Sequence, residues 1–262
     1  MTKVKEVLKT VWANVLETLK GSAMLILFYG MMSSICFMGT MNEEWTGAVS
    51  EGFNGSRIAW IVIVALLAVA YNGFLAYAYG GKGYDMLVSG NMKRLSAQQL
   101  GSSFKISSHK EVQEYRDWKG FAFGAVVGVF TILFGILMGA NGDKINEALI
   151  ALATAEEGTK VSIASSTSIP LLISMLLSGW SVMPFVFMNI GGAAVSYYWS
   201  CLFALIPIIA SGIMYIVGAY AKRGKALKAQ EEADRSAAAE AAKPKKINYG
   251  GLPGTKPRKR KK

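Results

Sequence analysis

Charge is missing from five long stretches of this 262-residue chain, and that absence decides its structural class. The uncharged apolar runs cover residues 21–40, 58–80, 120–140, 169–190 and 197–221. The runs are 20 to 25 residues long, about the length that a helix needs to cross about 30 Å of hydrocarbon at ~1.5 Å per residue. Membrane β-barrels instead show short alternating strands, and these runs are continuous. We therefore expect an all-α, polytopic transmembrane bundle spanning residues 21–221.

Cysteine and histidine are also scarce, with two cysteines and one histidine in the whole chain. Cys36 and Cys201 both lie in apolar runs, whereas a disulfide scaffold needs paired cysteines in exposed loops. His109 has no carboxylate or thiol cluster near it, and no G-x-S-x-G motif supplies a nucleophile. We expect no metal site, no cofactor and no enzymatic activity.

The apolar runs lack Asp, Glu, Lys and Arg, which usually mark proton and ion pathways inside membranes. This absence argues against a proton antiporter, but not against a pore lined by backbone and hydroxyl groups. The polar or helix-bending candidates within the runs are Asn72, Ser178, Pro184, Asn189 and Pro207. For Asn72 we expect an interhelical hydrogen bond in preference to a substrate contact, because an unpaired amide in hydrocarbon is costly. Pro207 is expected to kink the last helix.

Glycine, in contrast, is frequent, and the third run carries it at a regular spacing. The glycines at intervals of four are Gly120, Gly124 and Gly128, followed by Gly135 and Gly139. A ridge without side chains lets another helix approach closely, so this spacing predicts a glycine-zipper packing face. The pattern leaves open whether the partner helix belongs to the same chain or to a homo- or hetero-oligomer.

Basic residues are distributed unevenly between the segments outside the runs. Residues 1–20 hold four, residues 81–118 six, and the tail 222–262 fourteen. Because basic residues mark cytoplasmic segments, we expect these three segments, including both termini, in the cytoplasm. This pattern and the low cysteine count suit a bacterial inner (plasma) membrane.

Five full crossings would place the basic tail outside the cell. We therefore expect the run 169–190 to be re-entrant, since Ser178 and Pro184 break its apolar character and broken helices are allowed where they line protein or water. The alternative is five plain crossings with an external tail.

Several elements are expected outside the apolar runs. Residues 1–20 have apolar side chains at intervals of three and four, which predicts an amphipathic helix in the membrane interface. Glycines at 80–83 predict a cap that ends the second helix. Ser108 and Glu111 form a capping box, which predicts a helix continuing unbroken into the third run. Residues 222–242 are Ala-rich and charged, as in a helical extension.

The last twenty residues, 243–262, are rich in Pro, Gly and Lys and are expected to be disordered. Their basic cluster comprises Lys256, Arg258, Lys259, Arg260, Lys261 and Lys262. We expect it to rest on anionic lipid. Phosphates of ribosomal RNA and acidic proteins are alternative contacts, but the lack of interleaved aromatics argues against sequence-specific nucleic-acid binding.

Together these features favour a non-enzymatic transport component, meaning a permease or channel subunit. If a separate ATPase drives it, residues 81–118 form the natural docking site. The alternative is a membrane scaffold or a membrane-protein biogenesis factor, whose tail binds anionic lipid or the ribosome.

Overall fold

The computed structural model is helical in every regular element that it describes. The described residues are 2–38, 55–102, 108–147, 169, 172, 176, 178–186 and 196–242. Their elements are α1 (Thr2–Met38), α2 (Gly55–Gln99), α3 (Ser108–Glu111), α4 (Lys119–Ala140), the 3-10 helix η1 (Tyr197–Ala204) and α5 (Leu205–Ala242). Residues 142–147 and 178–186 are also helical. The predicted all-α class is confirmed.

Four helices within the described ranges are long and apolar enough to cross a membrane. They are Lys5–Ile35, Ala59–Gln99, Lys119–Ala140 and Tyr197–Ala242. They correspond to the first, second, third and last apolar runs. The prediction of a polytopic membrane protein is consistent with these four helices.

Contacts between the helices define two ends of the bundle within residues 1–222. At one end, which we call the basic end, residues 17–21, 79–86 and 113–123 gather around Tyr215. At the other, the distal end, the indole Nε1 of Trp60 donates a hydrogen bond to the Ile35 carbonyl over 3.5 Å. α1 and α4 therefore run from the basic end to the distal end, and α2 and α5 run back.

The glycine face of α4 lies against η1 and α5 of the same chain. A Cβ built on Gly124 would collide with the Pro207 carbonyl and stand 2.6 Å from Ile208 Cα, and one on Gly135 would stand 2.7 Å from Cys201 Sγ. The other glycines of the face are Gly120, Gly128 and Gly139, whose nearest neighbours are Tyr215, Ala204 and Tyr198. Because apolar helices in lipid associate largely through van der Waals contact, the missing side chains permit this approach. An oligomer through α4 stays a prediction and would use another face.

α5 also crosses α2 where the two backbones touch. A Cβ built on Gly80 would collide with the carbonyl oxygen of Tyr215, and one built on Gly218 would collide with that of Tyr77. Each helix thus has a glycine at the point where the backbone of the other helix touches it. α5 is thereby in close contact with both α2 and α4.

The predicted glycine cap at residues 80–83 is wrong, because α2 continues through it to Gln99. Gly80 and Gly83 face Tyr215, whose backbone and hydroxyl occupy the space that side chains would need. The left-handed glycine is instead Gly101, with a φ of 66°. Its N–H donates to Gln98 O, and the next N–H, of Ser102, donates to Ala97 O, which is the Schellman pattern of a helix end.

The predicted unbroken helix from residue 108 into the third run is also wrong. α3 ends at Glu111 and α4 begins at Lys119. Hydrogen bonds to α2 account for the break. The Tyr115 N–H donates to Gly83 O over 2.9 Å, and the Arg94 guanidinium donates to both carboxylate oxygens of Glu114 at 2.8 and 3.1 Å. These bonds outweigh the local capping signal.

The predicted interfacial segment 1–20 and the first apolar run form one helix, α1, without a break at residue 20. Its first half leaves apolar side chains uncovered, with Val7, Leu8 and Trp12 63 to 70% exposed. Position in the membrane interface stays a prediction for this half.

The last apolar run begins as a 3-10 helix and becomes α-helical at Leu205. Pro207 then lies in the first turn of α5, where the missing N–H costs no intrahelical hydrogen bond. The structure thus places Pro207 beside a change of helix type. α5 extends through residues 222–242, and residues 243–262 lie outside the described part of the chain.

Replacing Gly124 by Ala tests the packing of α4 against α5. The added methyl group meets backbone atoms that cannot rotate away, so we expect the free energy of unfolding in detergent to fall by about 1–3 kcal/mol. Gly224→Ala is the matched control, because no atom lies within 4 Å of its built Cβ. There the better helix propensity of Ala should leave stability unchanged or raise it by up to ~1 kcal/mol. Equal effects of the two substitutions would contradict the packing.

Candidate functional site

Three helices meet at Asn72 in the interior of the bundle. Its Nδ2 donates to the Tyr29 hydroxyl of α1 over 3.1 Å, and its Oδ1 accepts a hydrogen bond from Ser211 Oγ of α5 over 3.2 Å. All three side chains are buried. Both ends of the amide are therefore bonded to side chains from other helices. We call this group, Tyr29, Asn72 and Ser211, the Asn72 bridge.

A second polar contact joins α1 to the helix at 178–186. Ser33 Oγ donates to Tyr29 O over 2.7 Å and accepts from the Trp180 N–H over 3.3 Å. The Trp180 ring packs against Tyr29, with 5.0 Å between ring centroids. Gly179 permits the approach, because a Cβ there would stand 3.0 Å from Ser33 O. The 178–186 helix is thus bonded beside the Asn72 bridge.

The 178–186 helix brings two serines into the core. Ser178 and Ser181 are fully buried, and Ser181 Oγ donates to Ser178 O over 2.8 Å. Ser178 Oγ is buried without a hydrogen-bond partner in the structure. Pro184, on the same helix, is half-buried. Asn189 lies outside the described residues.

A cavity of about 280 Å³ opens at the basic end, between α1, α2, α4 and α5. Its apolar wall is formed by the rings of Tyr79, Phe123 and Tyr215. Gly21 completes this wall, and a Cβ there would stand 2.6 Å from the Phe123 ring. Tyr215 is one helical turn from Ser211, so the cavity lies directly beyond the Asn72 bridge. We call it the basic-end cavity.

Charged side chains surround the same cavity. Lys20, Lys82 and Lys119 line it together with Glu17, which gives a formal charge of +2, from three positive charges and one negative. Lys20 and Lys82 are exposed, whereas Lys119 is only 3% exposed. Its Nζ donates to the carbonyl oxygens of Val112 and Glu114. The buried ammonium is thereby held by the segment that precedes α4.

That segment, residues 112–118, is fastened to two helices. The Arg94–Glu114 ion pair ties it to α2, and the Tyr115 ring stacks on Tyr215 of α5 with 5.4 Å between centroids. Burial, assisted by the neighbouring Asp117 carboxylate, raises the pKa of Tyr115. The segment holds one wall of the cavity in place.

Sequence reasoning singled out Asn72, which bonds Tyr29 of α1, and Ser178, which belongs to the helix whose Trp180 bonds Ser33 of α1. It missed the basic-end cavity. Lys20, Lys82 and Lys119 each border an apolar run, and that shared position was the available signal. The basic tail cluster, Lys256 to Lys262, lies outside the described residues.

No family model matches the chain, and no curated protein or solved structure shows significant similarity to it.

Proposed function

We propose that the chain is a non-enzymatic transport component of a membrane, a permease or channel subunit. The observation that carries this proposal is the succession of polar groups within the bundle. It leads from the basic-end cavity past the Asn72 bridge to Ser33 and the unpaired hydroxyl of Ser178. Polar side chains are costly at membrane depth and commonly mark pathways there.

The chemistry of that interior favours a small, uncharged polar solute. The buried polar side chains of the bundle interior, among described residues, are hydroxyls and one amide: Ser22, Ser33, Asn72, Thr131, Ser178, Ser181, Ser200 and Ser211. The buried charges, Glu114 and Lys119, lie at the basic end. Hydroxyl and amide groups exchange hydrogen bonds with a neutral solute but offer no charge to balance an ion.

The proposed orientation places the basic end in the cytoplasm. Lys20, Lys82 and Lys119 border this end, and the basic segments 1–20 and 81–118 adjoin it. An excess of Lys and Arg is the usual mark of the cytoplasmic face. An ATPase or a ribosome would dock at this end.

The proposed topology has four crossings with residues 169–190 re-entrant. Two observations support it. The Tyr197 hydroxyl donates to Asn146 Oδ1 over 2.9 Å, so the chain leaves and resumes at the same end of the bundle. Trp180, which comes between these two residues in the sequence, donates its N–H to Ser33 Oγ of α1. Ser33 is 13 residues from Lys20, which is about 20 Å along the helix at ~1.5 Å per residue. Both contacts are those expected of a run that enters from the distal end and returns there.

The alternative function is a membrane scaffold or biogenesis factor. It is favoured by the uncovered apolar side chains in the first half of α1, among them Leu8 and Trp12. Such a surface fits a lipid interface or a hydrophobic client segment. Co-purified ribosomes that dissociate at high salt and on deletion of residues 243–262 would favour this alternative.

The transport proposal is tested by reconstitution. Liposomes containing the purified chain, alone or with the partners that co-purify in mild detergent, should re-swell in glycerol or urea faster than empty liposomes. Asn72→Leu should bring the rate toward that of empty liposomes, because it removes the bridge. Ser96→Ala is the matched control, since Ser96 is exposed and bonds only within its own helix. Rates equal to empty liposomes in both preparations would refute the proposal.

The topology is tested by thiol labelling in a chain without Cys36 and Cys201. An impermeant reagent should label Asp143→Cys, at the exposed distal end, in intact cells. It should label Lys262→Cys only after the cells are opened. Labelling of both positions in intact cells would mean that residues 169–190 cross the membrane.

A further inference from the structure

We propose that the basic-end cavity binds a phosphate group, supplied by an anionic phospholipid or by a free phosphate. The inference goes beyond the transport proposal and does not depend on it. It is based on the charged side chains that line this partly enclosed site. They are three lysines, Lys20, Lys82 and Lys119, and one carboxylate, that of Glu17.

The charge of the site calls for an anion. Lys119 is almost fully buried, and two carbonyl oxygens accept hydrogen bonds from its Nζ. Carbonyl groups satisfy donors but supply no opposite formal charge. With Glu17 counted, two positive charges remain around a site bordered by aromatic rings. The Lys119 ammonium, which is removed from bulk water, gains strongly from a nearby anion, and the exposed Lys20 and Lys82 add to the attraction.

The position of the site suits a phosphate at membrane level. Lys20, Lys82 and Lys119 stand where uncharged stretches of α1, α2 and α4 begin or end. That boundary is where lipid phosphates lie, and basic pockets between membrane helices bind lipid headgroups. A free lysine at such a boundary usually extends toward water. Lys119 does not, because it is bonded inward to Val112 and Glu114.

The size of the cavity limits what it holds. About 280 Å³ is near the lower limit of the ~300–1,000 Å³ typical of small-molecule pockets. It accommodates a phosphate-bearing headgroup rather than a whole lipid. The rings of Phe123 and Tyr215 give the cavity an apolar surface for the glycerol portion of a lipid.

The test measures thermal unfolding of the full chain in neutral detergent at constant ionic strength. The probes are phosphatidylglycerol, phosphatidylcholine and inorganic phosphate. We expect phosphatidylglycerol to raise the melting temperature in a saturable manner. The double variant Lys20→Gln, Lys82→Gln should weaken the apparent affinity about 30-fold, from the usual contribution of two lysines near anionic lipid. Its matched control, Lys5→Gln with Lys93→Gln, removes the same charge from exposed positions outside the cavity.

A second variant keeps the test independent of the lysines. Gln113 lines the cavity, and Gln113→Glu adds a negative charge with almost no change of shape. It should weaken binding about fivefold or more, whereas Gln98→Glu, at an exposed position of α2, should not.

Each outcome decides the proposal. Saturable stabilisation by phosphatidylglycerol alone supports a lipid phosphate, and equal stabilisation by inorganic phosphate supports the free anion. Absence of stabilisation by phosphatidylglycerol and by inorganic phosphate would overturn the site, and so would equal stabilisation by phosphatidylcholine and phosphatidylglycerol, which would indicate a general effect of lipid. Equal weakening by the cavity variants and their controls would overturn it as well, because it would indicate diffuse surface charge.

Discussion

The bundle depends on one constraint, the close contact of the α5 backbone with the backbones of α2 and α4. In lipid, bringing two apolar helices together gains little from the hydrophobic effect, so contact distance largely decides whether they associate. Gly80 and Gly218 open the α2–α5 crossing, and Gly124 opens the α4–α5 crossing. The position of α5 then sets the functional geometry, because it brings Ser211 to Asn72 and Tyr215 to the cavity wall.

Buried polar side chains are hydrogen-bonded differently in the interior of the bundle and at its basic end. In the interior, the Asn72 amide is bonded to α1 and α5 and therefore links three helices. At the basic end, Lys119 is bonded to backbone carbonyls of the preceding segment, and that segment is held in turn by Arg94. Ser178 Oγ departs from this pattern, since it is buried without a partner. Buried polar groups without partners are rare in proteins, which makes this position notable in a proposed pathway.

Features that depend on local pattern could be predicted from the sequence. The uncharged runs predicted the four membrane-length helices of the described ranges, and the spaced glycines Gly120, Gly124 and Gly128 lie against η1 and α5. The helix that packs against this glycine face could not be predicted, because the spacing of the glycines does not depend on which helix is the partner. Gly80, Gly81 and Gly83 were misread for a related reason: a cap and a helix crossing both favour glycine, and only Tyr215, more than 130 residues away, distinguishes them.

The position of its three lysines at the borders of apolar runs was a signal for the basic-end cavity, but its shape could not be predicted, because its walls come from four helices that are distant in sequence. Likewise, the break at residues 112–118 depends on Gly83 and Arg94 of α2, which no capping rule takes into account. Sequence reasoning thus succeeded on the long uncharged helices, and it failed where a contact between distant segments overrode a local preference.

The most direct test of the account is a disulfide across the α2–α5 contact. A Cβ built on Gly73 lies 3.9 Å from Met214 Cβ, within the ~3.5–4.5 Å that disulfides require. In a chain lacking Cys36 and Cys201, oxidation of native membranes should join Gly73→Cys to Met214→Cys within one molecule, as shown by mass spectrometry of the linked peptides. The pair Gly73→Cys with Ile213→Cys should react far less, because Ile213 is on an exposed face of α5. Failure of the first pair to react, or a cross-link only between two chains, would contradict the packing on which the structure depends.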